Sequence, residues 1–222
     1  EDAVHNFQSA ILIDRTWTDP YIGLGRAYYE KLLYDGKLSE PLSDDEAEKE
    51  RLELRASAIG NSLQAYWTAV TMIDKQLLLW QDIEYKKLRR KNEREVIERE
   101  YKGGVKTTRE TLLQEPAPPI TNNVKKTTVE EEEKYIKELH NTKAQLLWLI
   151  ADVYAVIPDW SNCISTLKEA VSVDKKNTSY LCRLALAYTR AGKISRAKEI
   201  YEKCLKIDPD CVSAKQGLND IK

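Results

Sequence analysis

The sequence predicts an all-α protein built from stacked pairs of helices. Of the 222 residues only eight are Gly and seven are Pro, too few for the turns of a many-stranded sheet. Hydrophobic residues make up 42% of the chain, which is enough for a packed core. The chain also matches itself at an offset of 34 residues. Such a period is typical of helix-turn-helix units that bury their apolar faces against their neighbours.

The repeat is clearest in residues 144–222. Two segments, 144–177 and 178–211, hold residues of the same size class at eight equivalent positions, and a further helix begins after them. The second segment carries the full pattern in Leu181, Leu184, Ala185, Tyr188, Gly192, Ala197, Tyr201, Cys204 and Pro209. This order of large, small and turn residues resembles the tetratricopeptide repeat. The resemblance implies an α-solenoid of stacked helical pairs.

The size pattern has a packing reason. Two helices in close contact need a small side chain where their backbones cross and a large one beside it. Ala185 and Ala197 are expected at the crossing, with Tyr188 and Tyr201 filling the space around them. Gly192 is placed to end the first helix of the segment in a left-handed conformation.

Residues 1–74 repeat the same frame in another register. They predict a partial repeat at 1–17, a first helix at 18–34, a loop at 35–43 and an extended helix from 44. Within that helix, 58–74 carries the repeat spacing through Ser62, Tyr66 and Ala69. Residue 1 falls inside a second helix without its first helix, so we expect a fragment of a longer array.

Residues 75–143 read as an insertion between repeats. The insertion begins with a charged helical segment. Residues 103–128 are rich in Pro and Thr and predict a loop. A second helix, with Thr128 as its expected cap, follows the loop. A projecting helical hairpin, resembling a short coiled coil, is the simplest interpretation. A degenerate extra repeat beginning at "LLLW" is the alternative, although the small residue expected after it is missing.

Composition argues against several classes of function. The 35 basic and 36 acidic residues give no global electrostatic field that would hold a polyanion or a membrane surface. No apolar run approaches the roughly 20 residues of a membrane span.

The four cysteines lack a CxxC pair and the two histidines are far apart, which argues against a metal site. Buried, unpaired thiols predict a reducing, cytoplasmic setting. No catalytic or cofactor motif is present, so we expect neither enzymatic activity nor a cofactor.

The tetratricopeptide resemblance implies a protein-binding scaffold or adaptor in a multiprotein assembly. In that family the first helices of successive repeats line a concave groove for a peptide or a partner helix. The candidate groove residues are Arg26, Tyr29, Gln145, Trp148, Asp152, Arg183 and Arg190. Aromatic residues and Arg are enriched at interfaces. Trp148 lies either in an open groove or under the insertion or the adjoining repeat.

One known binding mode of the family fits poorly. Members that hold chaperone C-terminal tails use Lys and Asn on the first of these helices, Asn on the second, and Lys with Arg on the third. The matching positions here are Ile22, Arg26, Leu149, Ser179 and Arg183. Only Arg183 fits that carboxylate clamp, which argues against chaperone-tail binding.

The alternative function is an RNA-associated adaptor working through the basic arm of the insertion. Its candidate residues are Lys86, Lys87, Arg89, Arg90, Lys91 and Arg94. Interspersed Glu residues favour a simple solvated helix for this run. A purely structural role, with the hairpin as the docking part of a large assembly, is a third interpretation.

Overall fold

The computed structural model describes residues 2–37, 45–102 and 129–221. Within these ranges the side chains of 34–37, 45, 83–102 and 129–130 are outside the description. The predicted loop at 103–128 and most of the predicted loop at 35–43 also lie outside the described residues. The prediction of an all-α chain is confirmed, since the described residues form helices joined by turns.

The described ranges contain eight helices. They are α1 Asp2–Ile13, α2 Asp19–Lys37, α3 Asp45–Lys102, α4 Val129–Val156, α5 Trp160–Val173, α6 Thr178–Arg190, α7 Ile194–Ile207 and α8 Val212–Asp220. Helix α2 runs on to Lys37, so the loop begins later than the sequence predicts. None of the described helices combines the length and the apolar character that a membrane crossing requires.

The chain divides into two compact units. Unit 1 is formed by Glu1–Asp74 and Leu139–Lys222, and unit 2 by Lys75–Glu138. Unit 2 therefore ends before Lys143, where the sequence predicts the insertion to end. The physical reason is that Leu139 and Ala144 are buried in unit 1. Within unit 2, the rings of Trp80 and Tyr135 lie 6.0 Å apart, so its two helical segments are adjacent there.

The core of unit 1 follows the small-and-large pattern. Ala185 and Ala197 are fully buried, and Tyr188 and Tyr201 are nearly so, in one cluster shared by α5, α6 and α7. Residue size also decides contacts between helices elsewhere. A Cβ on Gly25 of α2 would lie 2.6 Å from the ring of Tyr66 on α3, and the Gly25 carbonyl accepts a hydrogen bond from Ser62 Oγ at 2.9 Å.

The turns of unit 1 have definite end signals. Asp159 caps α5 by accepting from the Asn162 N–H, and Asn177 caps α6 by accepting from the Ser179 and Tyr180 N–H groups. Gly192 ends α6 with φ of 72°, and the Lys193 N–H donates back to the Tyr188 carbonyl, which is a Schellman motif. Pro158 occupies the equivalent place after α4, where the Asp159 N–H donates to the Tyr154 carbonyl.

Candidate functional site

The seven predicted groove residues lie on three helices of unit 1. Arg26 and Tyr29 are on α2, Gln145, Trp148 and Asp152 on the part of α4 that belongs to unit 1, and Arg183 and Arg190 on α6. We call the surface that these seven residues define the interaction face. The structure brings three of them into mutual range and leaves the others as exposed side chains along the same helices.

Arg183, Asp152 and Tyr29 form the centre of the interaction face. Arg183 Nε donates to Asp152 Oδ1 at 3.0 Å, and Arg183 Nη2 donates to the same oxygen. Asp152 is largely covered, whereas the Arg183 side chain is 41% exposed. Burial raises the pKa of Tyr29, the Asp152 carboxylate raises it further, and Arg183 opposes both. The ion pair therefore joins α4 and α6, the first helices of two adjoining repeats.

Trp148 lies beside this centre and remains accessible. Its ring meets Tyr180 of α6 edge-on, with centroids 6.0 Å apart and an interplanar angle of 66°. The adjoining repeat thus covers part of the indole, yet 36% of Trp148 stays exposed. Gln145, Arg26 and Arg190 are exposed. Of the two alternatives for Trp148, the structure shows partial cover by the adjoining repeat.

A buried hydroxyl that the sequence did not single out lies under this face. Tyr66 Oη of α3 has no hydrogen-bond partner among the described residues, and the residue is fully buried. Burial raises the pKa of Tyr66 well above its usual value, Arg26 opposes this, and Tyr29, Glu30 and Asp152 add to it. In the sequence, Tyr66 is recognisable only as a large packing residue, and its size class gives no sign of an unsatisfied hydroxyl.

The alternative site falls on the basic run of α3. Residues 86–94 are helical, but the side chains of Lys86, Lys87, Arg89, Arg90, Lys91 and Arg94 lie outside the described residues. The RNA-binding hypothesis therefore stays a prediction.

A second feature missed by sequence analysis is a group of three thiols. Cys182, Cys204 and Cys211 are free cysteines whose sulfur atoms lie together, although successive members are 22 and 7 residues apart in sequence. The fourth, Cys163, is buried near Asp152, and burial raises its pKa to about 11. The expectation of no metal site relied on the missing CxxC pair, which says nothing about cysteines that the fold brings together.

A surface depression of about 700 Å³ lies between α7 and α8, away from the interaction face. Its lining includes Lys198, Glu202, Lys215 and Asn219. These side chains give it a mixed charge, and the candidate groove residues do not contribute to it.

Comparison with known proteins identifies the repeat. Residues 178–211 match the family model described as tetratricopeptide repeat. None of the curated proteins compared with the chain matches it. Among solved structures, MamA aligns with 98% of this chain and 74% of its own, at 11% identity and a TM-score of 0.50. At that identity the likeness concerns the fold alone, and it agrees with an α-solenoid.

Two further solved structures are similar at lower TM-scores. TTC0263, a thermophilic TPR protein of Thermus thermophilus, is 14% identical over 99% of this chain and 71% of its own, with a TM-score of 0.45. The second TPR domain of human RPAP3, solved with an HSP70 peptide, is 24% identical over 41% of this chain and 84% of its own, with a TM-score of 0.34.

Proposed function

Because residues 178–211 form a tetratricopeptide repeat within an α-solenoid, we propose that this chain is a non-catalytic adaptor that binds a protein partner on its interaction face. Proteins built from this repeat generally mediate protein–protein interactions. Fold alone does not identify a partner, so the proposal depends on the chemistry of the face.

The observation that carries the proposal is the accessible Trp148 next to the Arg183–Asp152 ion pair. A partly exposed indole, held in place by Tyr180, offers a large apolar contact with little loss of side-chain freedom on binding. The ion pair orients the Arg183 guanidinium while leaving 41% of the side chain exposed. A preorganised aromatic residue beside a preorganised cation is typical of the centre of an interface.

The charge of the face indicates the chemistry of the partner. Arg26 and Arg190 are exposed on the flanking helices, and Leu186 on α6 is 39% exposed. A segment with an apolar side chain flanked by acidic residues would complement this set. The chaperone-tail clamp is not part of the proposal, because Arg183, its single matching residue, is already paired with Asp152.

We place this activity in a reducing, cytoplasmic compartment. Three free thiols lie within hydrogen-bonding distance of each other in unit 1, and an oxidising compartment would favour their conversion to disulfides.

The test is affinity capture from the source cell with cross-linking mass spectrometry. Wild type is compared with a Trp148→Ala/Arg190→Glu variant. The matched control is Lys198→Glu/Lys203→Glu, which reverses exposed charges on α7, outside the interaction face. We expect the face variant to lose a discrete partner that wild type and control retain. Equal capture by all three proteins would contradict the proposal.

The same experiment separates the alternative function. A third variant replaces Lys86, Lys87, Arg89, Arg90, Lys91 and Arg94 by Gln. If RNA co-purifies with wild type, leaves at higher salt and is lost only in this variant, the basic arm carries the function and the interaction face does not.

A further inference from the structure

Three of the four cysteines converge at the C-terminal end of unit 1. Cys182 lies on α6, Cys204 on α7, and Cys211 is the N-cap of α8. The Cys182 Sγ to Cys204 Sγ distance is 3.3 Å, and the Cys211 Sγ lies 3.5 Å from each of the other two. The sulfurs therefore form a nearly equilateral triangle contributed by three different helices.

The triangle is closed on one side and accessible on the other. Cys204 is fully buried and Cys182 is 9% exposed, whereas Cys211 is partly exposed at the start of α8. A small ion could therefore reach the sulfurs from the Cys211 side. The closed side limits the number of water molecules that could compete for the ion.

The backbone fixes two of the three ligand positions relative to each other. The Asp208 N–H donates to the Cys204 carbonyl at 2.9 Å, and the Cys211 N–H donates to the Asp208 carbonyl at 3.2 Å, in the turn between α7 and α8. In the described structure, the Cys204 thiol is also within 3.7 Å of the Thr178 carbonyl.

The distances suit a thiolate-bound metal ion. Zinc binds sulfur at about 2.3 Å, so the sulfurs of one tetrahedral zinc site lie roughly 3.8 Å apart. The observed spacings would need to open by only a few tenths of an ångström. Thiolates are the ligands that select Zn²⁺ and Cu⁺ over harder ions such as Mg²⁺ and Ca²⁺.

We propose that Cys182, Cys204 and Cys211 form a three-thiolate site for a soft metal ion, Zn²⁺ or Cu⁺. Each of the three metal–sulfur bonds replaces an S–H bond, so binding one ion releases three protons and involves no change in oxidation state. Apparent affinity therefore rises with pH. Because the ligands come from α6, α7 and α8, the ion would link the two helices of the repeat to the helix that follows.

The neighbouring repeat supplies matched variants that should fold. Ala170 stands where Cys204 stands, and Asn177, the N-cap of α6, stands where Cys211 caps α8. Cys204→Ala and Cys211→Asn therefore import residues that this fold already uses at those positions. Cys163→Ala is the control, because Ala197 is its equivalent and its sulfur is not in the triangle.

The experiment uses the full chain, reduced and stripped with a chelator. Zn²⁺ and Cu⁺ are each titrated in competition with a chromophoric chelator, and Co²⁺ is added to record sulfur-to-metal charge-transfer absorption. We expect one ion per chain and an increase in Tm with excess metal, since binding favours the folded state. Loss of an outer-shell partner typically weakens metal binding 10- to 100-fold, so loss of a direct ligand should weaken it by at least about tenfold.

The variants decide the outcome. Cys204→Ala and Cys211→Asn should lose tight binding and the charge-transfer band while keeping wild-type helicity, and Cys163→Ala should bind like wild type. Absence of one-to-one binding by the reduced wild-type chain would overturn the proposal. So would unchanged binding in Cys204→Ala and Cys211→Asn, or binding of the same strength in denaturant, where the triangle does not exist.

Discussion

Phe7 and Tyr201 show how single residues adjust adjacent repeats to each other. Each aromatic ring is followed sixteen positions later by a glycine, Gly23 and Gly217, and a Cβ on either glycine would collide with the ring. Leu167 holds the position of Tyr201 in the preceding repeat, and there the partner position is Arg183, a large residue. The size of one side chain thus sets the size allowed on the next helix.

We predict that Gly217→Ala destabilises the chain. Alanine is the better helix former by about 1 kcal/mol, but the added Cβ meets the Tyr201 ring, and overpacking of this kind typically costs about 1 to 3 kcal/mol. Tyr201→Leu in the same chain should recover most of that loss, since it copies the arrangement at Leu167. Urea unfolding followed by circular dichroism measures both effects.

Gly60→Ala is the control for that prediction. A Cβ at Gly60 has open space around it, so this substitution should stabilise α3 by about 0.5 to 1 kcal/mol. If Gly217→Ala raised the unfolding midpoint as Gly60→Ala does, the proposed contact with Tyr201 would be wrong.

At the scale of residues, the sequence predicts the small-and-large order within a repeat but not the polar contacts across repeats. Ala185, Ala197 and Tyr201 have the burial that the pattern indicates. The Arg183–Asp152 pair and the three thiols join residues on different helices, and nothing in their spacing fixes which rotamers meet. The unsatisfied hydroxyl of Tyr66 depends on such details as well.

At the scale of elements, Lys143 of α4 forms ion pairs with both α3 and α5. Lys143 Nζ lies 2.8 Å from Asp74 Oδ1 on α3 and 3.0 Å from Glu169 Oε1 on α5, with its own side chain 14% exposed. Burial lowers the pKa of Lys143, but hydrogen bonds to the two carboxylates more than offset this, so the net shift is upward. The ammonium group therefore stays charged between three helices.

We predict that Lys143→Met lowers the free energy of unfolding by about 1 kcal/mol. Both carboxylate partners are 42–43% exposed and can be rehydrated, so the loss is nearer to that of a surface pair than of a buried one. Lys137→Met, at an exposed position of the same helix, is the control. Urea unfolding at low and high salt should show a difference that shrinks with salt. A loss equal to that of the control at low salt would show that the bridge contributes nothing.

Helix identities were predictable at this scale because periodicity and end signals are local. Gly192 acts within a few residues of its own helix, so the sequence shows it directly. The caps Asn177 and Asp159 are equally local, but the structure identified them. The end of the insertion was less predictable. Leu139 and Lys143 belong with unit 1 because of partners far away in sequence, which no local pattern reveals.

At the scale of the molecule, unit 1 is assembled from two distant stretches of chain. Its core residues Tyr66 and Ile73 precede unit 2, and Leu147 and Ile150 follow it. The two stretches meet where Lys143 contacts Asp74, and Leu139 lies about one helical turn before Lys143. The ends that would remain after removal of unit 2 are thus close together.

We predict that deletion of 75–138, with a short Gly/Ser linker joining Asp74 to Leu139, leaves unit 1 folded. Helicity should fall only by the share of the removed residues, and thermal unfolding should remain cooperative, because the buried residues of unit 1 are all retained. Circular dichroism and calorimetry measure this. Deletion of 144–177 is the contrast, since it removes fully buried residues such as Leu147 and Leu167. Loss of cooperative unfolding in the first deletion would mean that unit 2 is needed for the core.

The register of the repeats makes the thiol triangle transferable. Subtracting one repeat length from Cys182, Cys204 and Cys211 gives Trp148, Ala170 and Asn177, which occupy the same three places on the preceding pair of helices. Three cysteines there would repeat the ligand set at positions of the same register, and the same rule applies to any further repeat of this length. A ligand set could therefore be introduced at a chosen repeat of the solenoid by substituting the three equivalent positions.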